Sequence, residues 1–143
     1  MNSKINSFNL RVYALIITDD KILLSKELIN NQMVLKFPGG GVEFGEGLVD
    51  ALQRESKEEI GQPLKNLSHF YTTDFFQQST FDKSEQLISI YYKAELTQIL
   101  KNKVDKPIKD QPVFEWKSIN NMKNSDLHFP IDKLVLKKIK SLQ

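Results

Sequence analysis

The sequence predicts an α/β protein with a mixed β-sheet between helices, and two observations carry this prediction. Runs rich in β-branched and aromatic residues, which favour strands, recur along most of the chain. Two other stretches, at about residues 47–61 and 130–142, repeat apolar residues at helical spacing. Strands come before and after the first of these helices and again before the second. This order of elements places helices on both faces of one sheet.

The individual elements follow from local patterns. Residues 12–17 are nearly all apolar, which is typical of a strand covered on both faces. Strands are expected at residues 8–18, 21–25, 33–37, 67–76, 87–96 and 112–117. The polar segments 26–32, 77–84 and 98–111 are predicted to be loops. Gly61 and Pro63 end the first helix, and Pro130 begins the second.

Length and composition limit the classes of function. The 143 residues contain no repeat or linker, so residues 1–143 are predicted to form one domain. The formal net charge of +2 is too small to indicate a nucleic-acid or membrane partner. The lack of cysteine excludes thiol catalysis, and two histidines are too few for a multi-histidine zinc site. Without a signal peptide or an apolar run of bilayer length, a cytoplasmic location is expected.

The helix predicted at residues 47–61 carries acidic residues on its apolar stripe. A helix advances about 100° per residue, so one set of residues falls within an arc of about 120°. The set is Leu48, Ala51, Leu52, Glu55, Glu58 and Glu59. Carboxylates on a core-facing stripe are costly without a partner and raise one another's pKa. We therefore expect a cation among the three glutamates, and oxygen ligands without cysteine suit Mg²⁺ or Mn²⁺.

A glycine run precedes this helix. Gly39, Gly40 and Gly41 allow backbone conformations closed to other residues and let a ligand approach the main chain. A loop of this kind before a helix N-terminus can offer amides to phosphate and a carbonyl to a metal. A phosphate-rich substrate bridged to the protein by divalent cations would suit both the glycines and the acids.

The same stretch resembles the signature box of the Nudix hydrolases, which act on a nucleoside diphosphate linked to another moiety. The matching residues, at the spacing of that box, are Gly40, Glu46, Arg54, Glu55, Glu58, Glu59, Ile60 and Gly61. The chain departs from the family at Ser56 and Gln62, where an aliphatic residue is preferred. These positions pack the helix, so the departures affect stability more than the acids. A hydrophobic strand before the box and residues 114–116 extend the likeness.

The resemblance implies an α/β/α sandwich and a role for each residue of the box. Glu55, Glu58 and Glu59 would bind metal together with the backbone carbonyl of Gly40, and the glycine run would bind substrate. Glu55 would also help to deprotonate the attacking water. Arg54 would orient a box glutamate, with Glu46 as its partner in a bidentate contact. Exposed helix pairing of Arg54 with Asp50 or Glu58 is the alternative, and it would contribute little.

Residues outside the box provide weaker candidates. Asp110 lies on a loop that in some family members supplies a further ligand or base, and a plain surface aspartate is the alternative. Glu85 and Glu115 are lesser candidates for that role. Lys36 and Arg11 are candidates for phosphate contacts, against the simpler expectation that both are solvated. The aromatic candidates for a base-stacking platform are Phe70, Tyr71, Phe75, Phe76, Phe81, Tyr91 and Tyr92.

The resulting hypothesis is Mg²⁺-dependent hydrolysis of a phosphoanhydride in a nucleoside diphosphate derivative. Gln78, Ser79 and Thr80 stand where the enzymes for ADP-ribose and dinucleoside polyphosphates often carry a marker proline or tyrosine. Their presence favours a nucleoside triphosphate or a nucleotide sugar as substrate. A catalytically silent nucleotide sensor and a structural cation-binding domain are the alternatives. The expected partner is a small-molecule nucleotide, with a homodimer open as an assembly.

Overall fold

The computed structural model describes residues 4–100 and 111–142. Within these ranges the strands are β1 (Ser7–Thr18), β2 (Lys21–Ile29), β3 (Gln32–Lys36), β4 (Gly39–Gly41), β5 (Leu64–Thr72), β6 (Glu85–Leu96) and β7 (Val113–Ser118). The helices are α1 (Leu48–Glu59) and α2 (Pro130–Ser141), and a short 3₁₀-helix covers Asn124–Asp126. None of the described helices combines the length and apolar character needed to cross a membrane.

The sheet is mixed because β1 runs parallel to β6, while the other strand pairs are antiparallel. Its order is β3-β2-β1-β6-β5, with β4 also paired to β1 and β7 also paired to β2. Val12 of β1 lies opposite Gly40, and Tyr13 lies opposite Gly39. The glycine run is therefore held against the central strand of the sheet.

Two apolar clusters cover the two faces of this sheet. Ala51 and Leu52 of α1 belong to one cluster, and Val135 and Ile139 of α2 belong to the other. Neighbouring residues of β1 alternate between them, because successive side chains of a strand point to opposite faces. Val12, Ala14 and Ile16 contact the first cluster, whereas Tyr13 and Leu15 contact the second. The predicted α/β/α sandwich is confirmed.

Several element boundaries differ from the prediction. The loop expected at residues 26–32 is wrong, because β2 and β3 continue to a turn at Asn30 and Asn31, whose φ values are 50° and 61°. Asparagine tolerates this left-handed conformation, which closes a two-residue hairpin. The fifth strand begins at Leu64 rather than residue 67. The glycine run forms β4, and most of the loop expected at residues 98–111 lies outside the described residues.

The end of α1 explains the two departures from the family pattern. The backbone N–H groups of Ile60 and Gly61 both donate to the carbonyl of Ser56, and Gly61 has a φ of 91°. The buried Ser56 hydroxyl donates to the carbonyl of Gln62 at 2.6 Å. The Gln62 side chain in turn accepts hydrogen bonds from the backbone of Thr97 and Gln98. Hydrogen bonds therefore stabilise the end of α1 at the two positions where the family prefers aliphatic residues.

Candidate active site

The carboxylate of Glu55 lies directly against the backbone of Gly40. A Cβ atom built on Gly40 would stand 2.5 Å from the carboxyl carbon and from Oε1 of Glu55. The buried contacts of Ala51 and Leu52 press α1 onto the sheet, while β1 holds Gly40 from the other side. Glu55 and Gly40 are therefore neighbours in space although Glu55 follows Gly40 by fifteen positions in the chain.

Glu59 lies one helical turn further along and is largely buried. It lines a small recess with Gly39 and Glu55. Burial raises the pKa of the Glu59 carboxyl to about 8, and the charge of Lys36 opposes that effect. Its Oε2 atom is inaccessible to solvent and has no hydrogen-bond partner among the described residues. An unpartnered carboxylate oxygen in this position is suited to a cation.

Glu58 does not join the other two acids. Its side chain is 58% exposed, and its Oε2 atom accepts a bond from Nη1 of Arg54 at 3.3 Å. Within residues 4–100 and 111–142, no three His, Asp or Glu side chains stand together as a metal-binding group. The expected convergence of three carboxylates is therefore wrong for the side chains as they lie. The ion pair with Arg54 turns Glu58 away from the recess, and Glu55 and Glu59 remain there.

Arg54 links the glycine run, the following loop and the acids. Its Nε and Nη2 atoms donate to the two carboxylate oxygens of Glu46, at 2.6 and 3.0 Å. The Nη2 atom also donates to the carbonyl of Gly41 at 2.9 Å, and Nη1 donates to Glu55 at 3.0 Å. The hydrogen bond to Arg54 lowers the pKa of Glu46, and the same bond raises the pKa of Arg54. This is the bidentate contact that the resemblance implies, extended by three further bonds, to Gly41, Glu55 and Glu58.

The glycines of the run differ in how strongly the structure requires them. Gly39 has a φ of 148°, and a Cβ there would lie 2.1 Å from the carbonyl oxygen of Val12. No other residue fits this position without moving the central strand. A Cβ on Gly41 would meet its nearest atom, Nη1 of Arg11, at an ordinary 3.7 Å.

Lys36 is not the solvated lysine that was the simpler expectation for it. Its residue is 1% exposed, and its ammonium lies 3.4 Å from a carboxylate oxygen of Glu27. The same group donates to the carbonyls of Phe37 and Gly39, at 3.1 and 3.3 Å. It therefore contacts the glycine run from within the protein rather than from the solvent side.

A cavity of about 200 Å³ lies on the α2 face of the sheet, and its lining residues Arg11 and Tyr13 pair with Gly41 and Gly39 across β1 and β4. Arg11, Tyr13, Phe81, Tyr91 and Asp132 are among its lining residues. Arg11 is not a freely solvated side chain either, because its Nε atom donates to the hydroxyl of Tyr13 at 3.0 Å. The cavity combines aromatic walls, a cation and a carboxylate.

Asp132 lines this cavity and was missed by the sequence analysis. It is 1% exposed, accepts a hydrogen bond from the Tyr91 hydroxyl at 2.6 Å, and leaves Oδ2 without a partner among the described residues. Burial raises the pKa of Asp132 to about 6. Its spacing from Val135, Leu136 and Ile139 places it on the buried stripe of α2, a signal that was available in the sequence.

The remaining candidates are scattered. Asp110 lies outside the described residues. Glu85 lines the cavity, whereas Glu115 of β7 pairs with Lys26 of β2 at 3.2 Å. Of the aromatic candidates, Phe81 and Tyr91 line the cavity. Phe70, Tyr71 and Tyr92 pack against the apolar clusters, and Phe75 and Phe76 are exposed.

Comparison with protein families identifies the family of this chain. The model of the NUDIX domain matches residues 8–138, which is most of the chain. The chain belongs to the Nudix family. Members of this family act on small nucleotide substrates and generally use divalent metal ions.

Solved Nudix structures share the fold. A NUDIX hydrolase from Nitrosomonas europaea has a TM-score of 0.74 at 20% identity, over 93% of this chain and 88% of its own. A MutT structure from work on Aliivibrio salmonicida and Vibrio cholerae has a TM-score of 0.71 at 21% identity, over 95% and 99%. An RNA pyrophosphohydrolase of Ruthia magnifica subsp. Calyptogena magnifica is 45% identical over 56 residues. That match spans 38% of this chain and only 30% of the relative's length.

Replacing Arg54 by lysine is expected to lower kcat by about 10-fold to 100-fold, as for the partners that orient metal ligands. A lysine ammonium cannot hold both oxygens of Glu46 while bonding Gly41 and Glu55, because it lacks the planar fork of the guanidinium. Steady-state kinetics, with circular dichroism to verify folding, measure the effect. Unchanged kcat in the folded variant would show that the brace is dispensable to the Nudix site.

Replacing Glu59 by glutamine is expected to stabilise the metal-free protein at alkaline pH. Burial raises the folded-state pKa of Glu59 from 4.5 to about 8, so the folded state binds its proton more tightly than the unfolded state. The free energy of unfolding therefore falls as the pH rises from about 4.5 to about 8. Glutamine cannot ionise, so it removes this pH-dependent loss. The expected gain in the free energy of unfolding above pH 8 is on the order of 2 kcal/mol, after allowance for the partial exposure of the Glu59 side chain.

Thermal melting in a chelator at pH 5 and pH 8.5 measures this effect. The melting temperatures of the wild type and Glu59→Gln should differ little at pH 5, just above the unfolded-state pKa of 4.5, and clearly at pH 8.5. Asp50→Asn, an exposed position on the same helix, is the control and should not separate from wild type. Equal melting of the wild type and Glu59→Gln at both pH values would contradict the buried position of this carboxyl.

Proposed function

We propose that this protein is a pyrophosphohydrolase that cleaves a phosphoanhydride bond in a nucleoside diphosphate derivative, with Mg²⁺ as the natural cation and Mn²⁺ as a substitute. One observation carries the proposal: the carboxylate of Glu55 lies against Gly40, and the unpartnered oxygen of Glu59 lines the same recess. Family membership supports it, as does the partial match to an RNA pyrophosphohydrolase.

The residues of the recess fit a divalent cation. Glu55, Glu59 and the carbonyl of Gly40 would hold it, all of them hard oxygen donors of the kind that Mg²⁺ prefers. Glu58 would join them only after its ion pair with Arg54 opens. When bound, the cation would neutralise charge on the phosphoryl oxygens and lower the pKa of a water.

The side chains of the chain have separate tasks in the proposed reaction. Glu55 accepts the proton of the attacking water, since it lies beside the loop where the diphosphate would dock. Arg54 holds Glu55 and the carbonyl of Gly41 in place. The amides of the glycine run receive phosphate oxygens. Water attack splits the phosphorus–oxygen bond of the anhydride, and a nucleoside triphosphate would yield a monophosphate and pyrophosphate.

The cavity beside Arg11 is proposed to receive the nucleobase. It holds aromatic rings together with the partnerless oxygen of Asp132, and its residues Arg11 and Tyr13 lie opposite Gly41 and Gly39 in the strand pair. A volume of about 200 Å³ is enough for a single base. The proposal keeps the cytoplasmic location and the small-molecule partner predicted from composition.

Replacing Asp132 by alanine is expected to raise KM about tenfold with kcat nearly unchanged, because one hydrogen bond to a charged group is lost. The measurement gives kcat and KM separately, with a purine nucleoside triphosphate as substrate at pH 8. Half-buried Asp126→Ala, in the 3₁₀-helix before α2 and outside the cavity lining, is the control for loss of an aspartate elsewhere in this region. A fall in kcat with constant KM would remove Asp132 from substrate binding.

The proposed function is tested by incubating the protein with Mg²⁺ and a panel of substrates. The panel contains nucleoside triphosphates, nucleotide sugars, ADP-ribose and a 5′-triphosphorylated RNA, and chromatography identifies the products. Hydrolysis of a nucleoside triphosphate or nucleotide sugar, abolished by chelation, supports the proposal. Tight nucleotide binding without turnover would instead establish a silent sensor, and metal binding alone would establish a structural cation site.

A further inference from the structure

The ammonium of Lys36 is buried beneath the glycine run, which is unusual for a lysine. Its residue is 1% exposed, and the side chain of its partner Glu27 is 15% exposed. Removing a charge from water is costly unless the charge is paired and fully hydrogen-bonded. A lysine at this buried position therefore indicates a role that an apolar side chain of the same length cannot perform.

The contacts of Lys36 account for its three donors. One faces the carboxylate of Glu27 at 3.4 Å, and the others donate to the carbonyls of Phe37 and Gly39, at 3.1 and 3.3 Å. The ammonium also lies 5.4 Å from the centre of the Tyr13 ring, a favourable cation–π distance. Both bonded carbonyls flank Pro38, so Lys36 spans the entry to β4 from inside the protein.

The bond to the Gly39 carbonyl has consequences for the next residue. The peptide unit is planar, so fixing the carbonyl of Gly39 also fixes the N–H of Gly40. Gly40 is the residue against which the Glu55 carboxylate lies. The charge of Lys36 acts on Glu59 as well, whereas Glu27 alone would repel that acid. The pair thus acts on the glycine backbone, which Glu55 contacts, and on Glu59.

We propose that Lys36 and Glu27 form a buried positioning pair that sets the orientation of the peptide joining Gly39 to Gly40. The proposal rests on the proposed function and deepens it. Lys36 acts through the loop, because its donors are directed at carbonyls and at Glu27. It replaces the direct phosphate contact that the sequence suggested for this lysine. Glu27 holds the ammonium in place and compensates its charge.

This role predicts a specific kinetic signature. Loss of the pair leaves the loop and acids in their general places but loosens their relative geometry, and such supporting contacts affect metal affinity or activity by about 10-fold to 100-fold. In Lys36→Met, kcat should fall about tenfold and the Mg²⁺ concentration for half-maximal rate should rise about fivefold. The KM for nucleotide at saturating Mg²⁺ should stay within about twofold, since no substrate contact is removed.

The experiment compares Lys36→Met, Glu27→Gln and Lys26→Met with wild type by kinetics over a Mg²⁺ titration and by thermal melting. Lys26 is the matched control, because it lies one residue from Glu27 on β2 and pairs with Glu115 on the surface. It should behave as wild type in both measurements. Glu27→Gln keeps the shape of its side chain and should show the Lys36→Met signature in weaker form, so it provides the test if Lys36→Met does not fold.

The outcomes separate the inference from the proposed function. If wild type hydrolyses no substrate of the panel, the proposed function fails. If wild type is active and both variants melt lower while keeping its kcat and Mg²⁺ dependence, the pair only stabilises the fold and the inference is overturned. A rise in nucleotide KM alone would make Lys36 a substrate contact and would also overturn it.

Discussion

Replacing Glu55 by glutamine is expected to lower kcat by about 10³-fold, within the range for loss of a catalytic base. Glutamine keeps the size of the side chain, so the contact with Gly40 and the packing of α1 persist. It removes the negative charge that a cation requires and the group that accepts the proton of water. The large effect follows from losing both tasks in one substitution.

The measurement is kcat at saturating substrate and Mg²⁺, together with Mg²⁺ binding by calorimetry. Binding of the cation should weaken in parallel with the loss of turnover. Exposed Asp50→Asn, on the first turn of the same helix, removes an equal charge and should keep wild-type kcat. If Glu55→Gln retained a tenth or more of wild-type kcat, the recess between Gly40 and Glu59 would not be the catalytic centre.

The second large effect is expected for Gly40→Ala, with a loss of about 10²-fold in kcat in a protein that still folds. The new methyl group would overlap the Glu55 carboxylate at 2.5 Å. That carboxylate is the end of a flexible side chain, so it can move aside and leave the backbone intact. The movement displaces the catalytic acid and breaks its bond with Arg54.

The neighbouring glycine is a matched control. In Gly41→Ala the methyl group meets only the Arg11 side chain, at 3.7 Å, so kcat should stay near that of wild type. Both variants are compared by kinetics and by melting temperature. Equal activity of Gly40→Ala and Gly41→Ala would show that Glu55 need not touch the backbone of Gly40. Loss of folding in Gly40→Ala alone would point to a backbone requirement instead.

Much of the fold follows from local patterns. The apolar run of β1 and the stripes of both helices predict the sandwich, because burial of those faces leaves few alternative arrangements. The Asn30–Asn31 turn was missed because Lys26, Glu27 and the run from Asn30 to Gln32 make the segment look like a polar loop. The β-strand formed by three glycines has no propensity signal at all, since its pairing with β1 is what makes it a strand.

The candidate site also combines features that the sequence predicts with features that it does not. Spacing along one helix puts Glu55 and Glu59 on a common stripe, and the bidentate partner of Arg54 follows from the box pattern. Glu58 shares that stripe, yet it turns outward because Arg54 offers it an ion pair. Charge patterns did not predict a buried Lys36, because its burial depends on Glu27 of another strand.

By itself the sequence determined the family, the order of the elements and the acids of the box, because these depend on spacing within one continuous segment. Only the tertiary structure decided which acids meet Gly40, that Lys36 and Asp132 are buried, and where the cavity lies. Those features arise where α1, α2 and the strands meet across the sheet. Burial and pairing there depend on distances between segments that are far apart in the chain, and no local pattern specifies such distances.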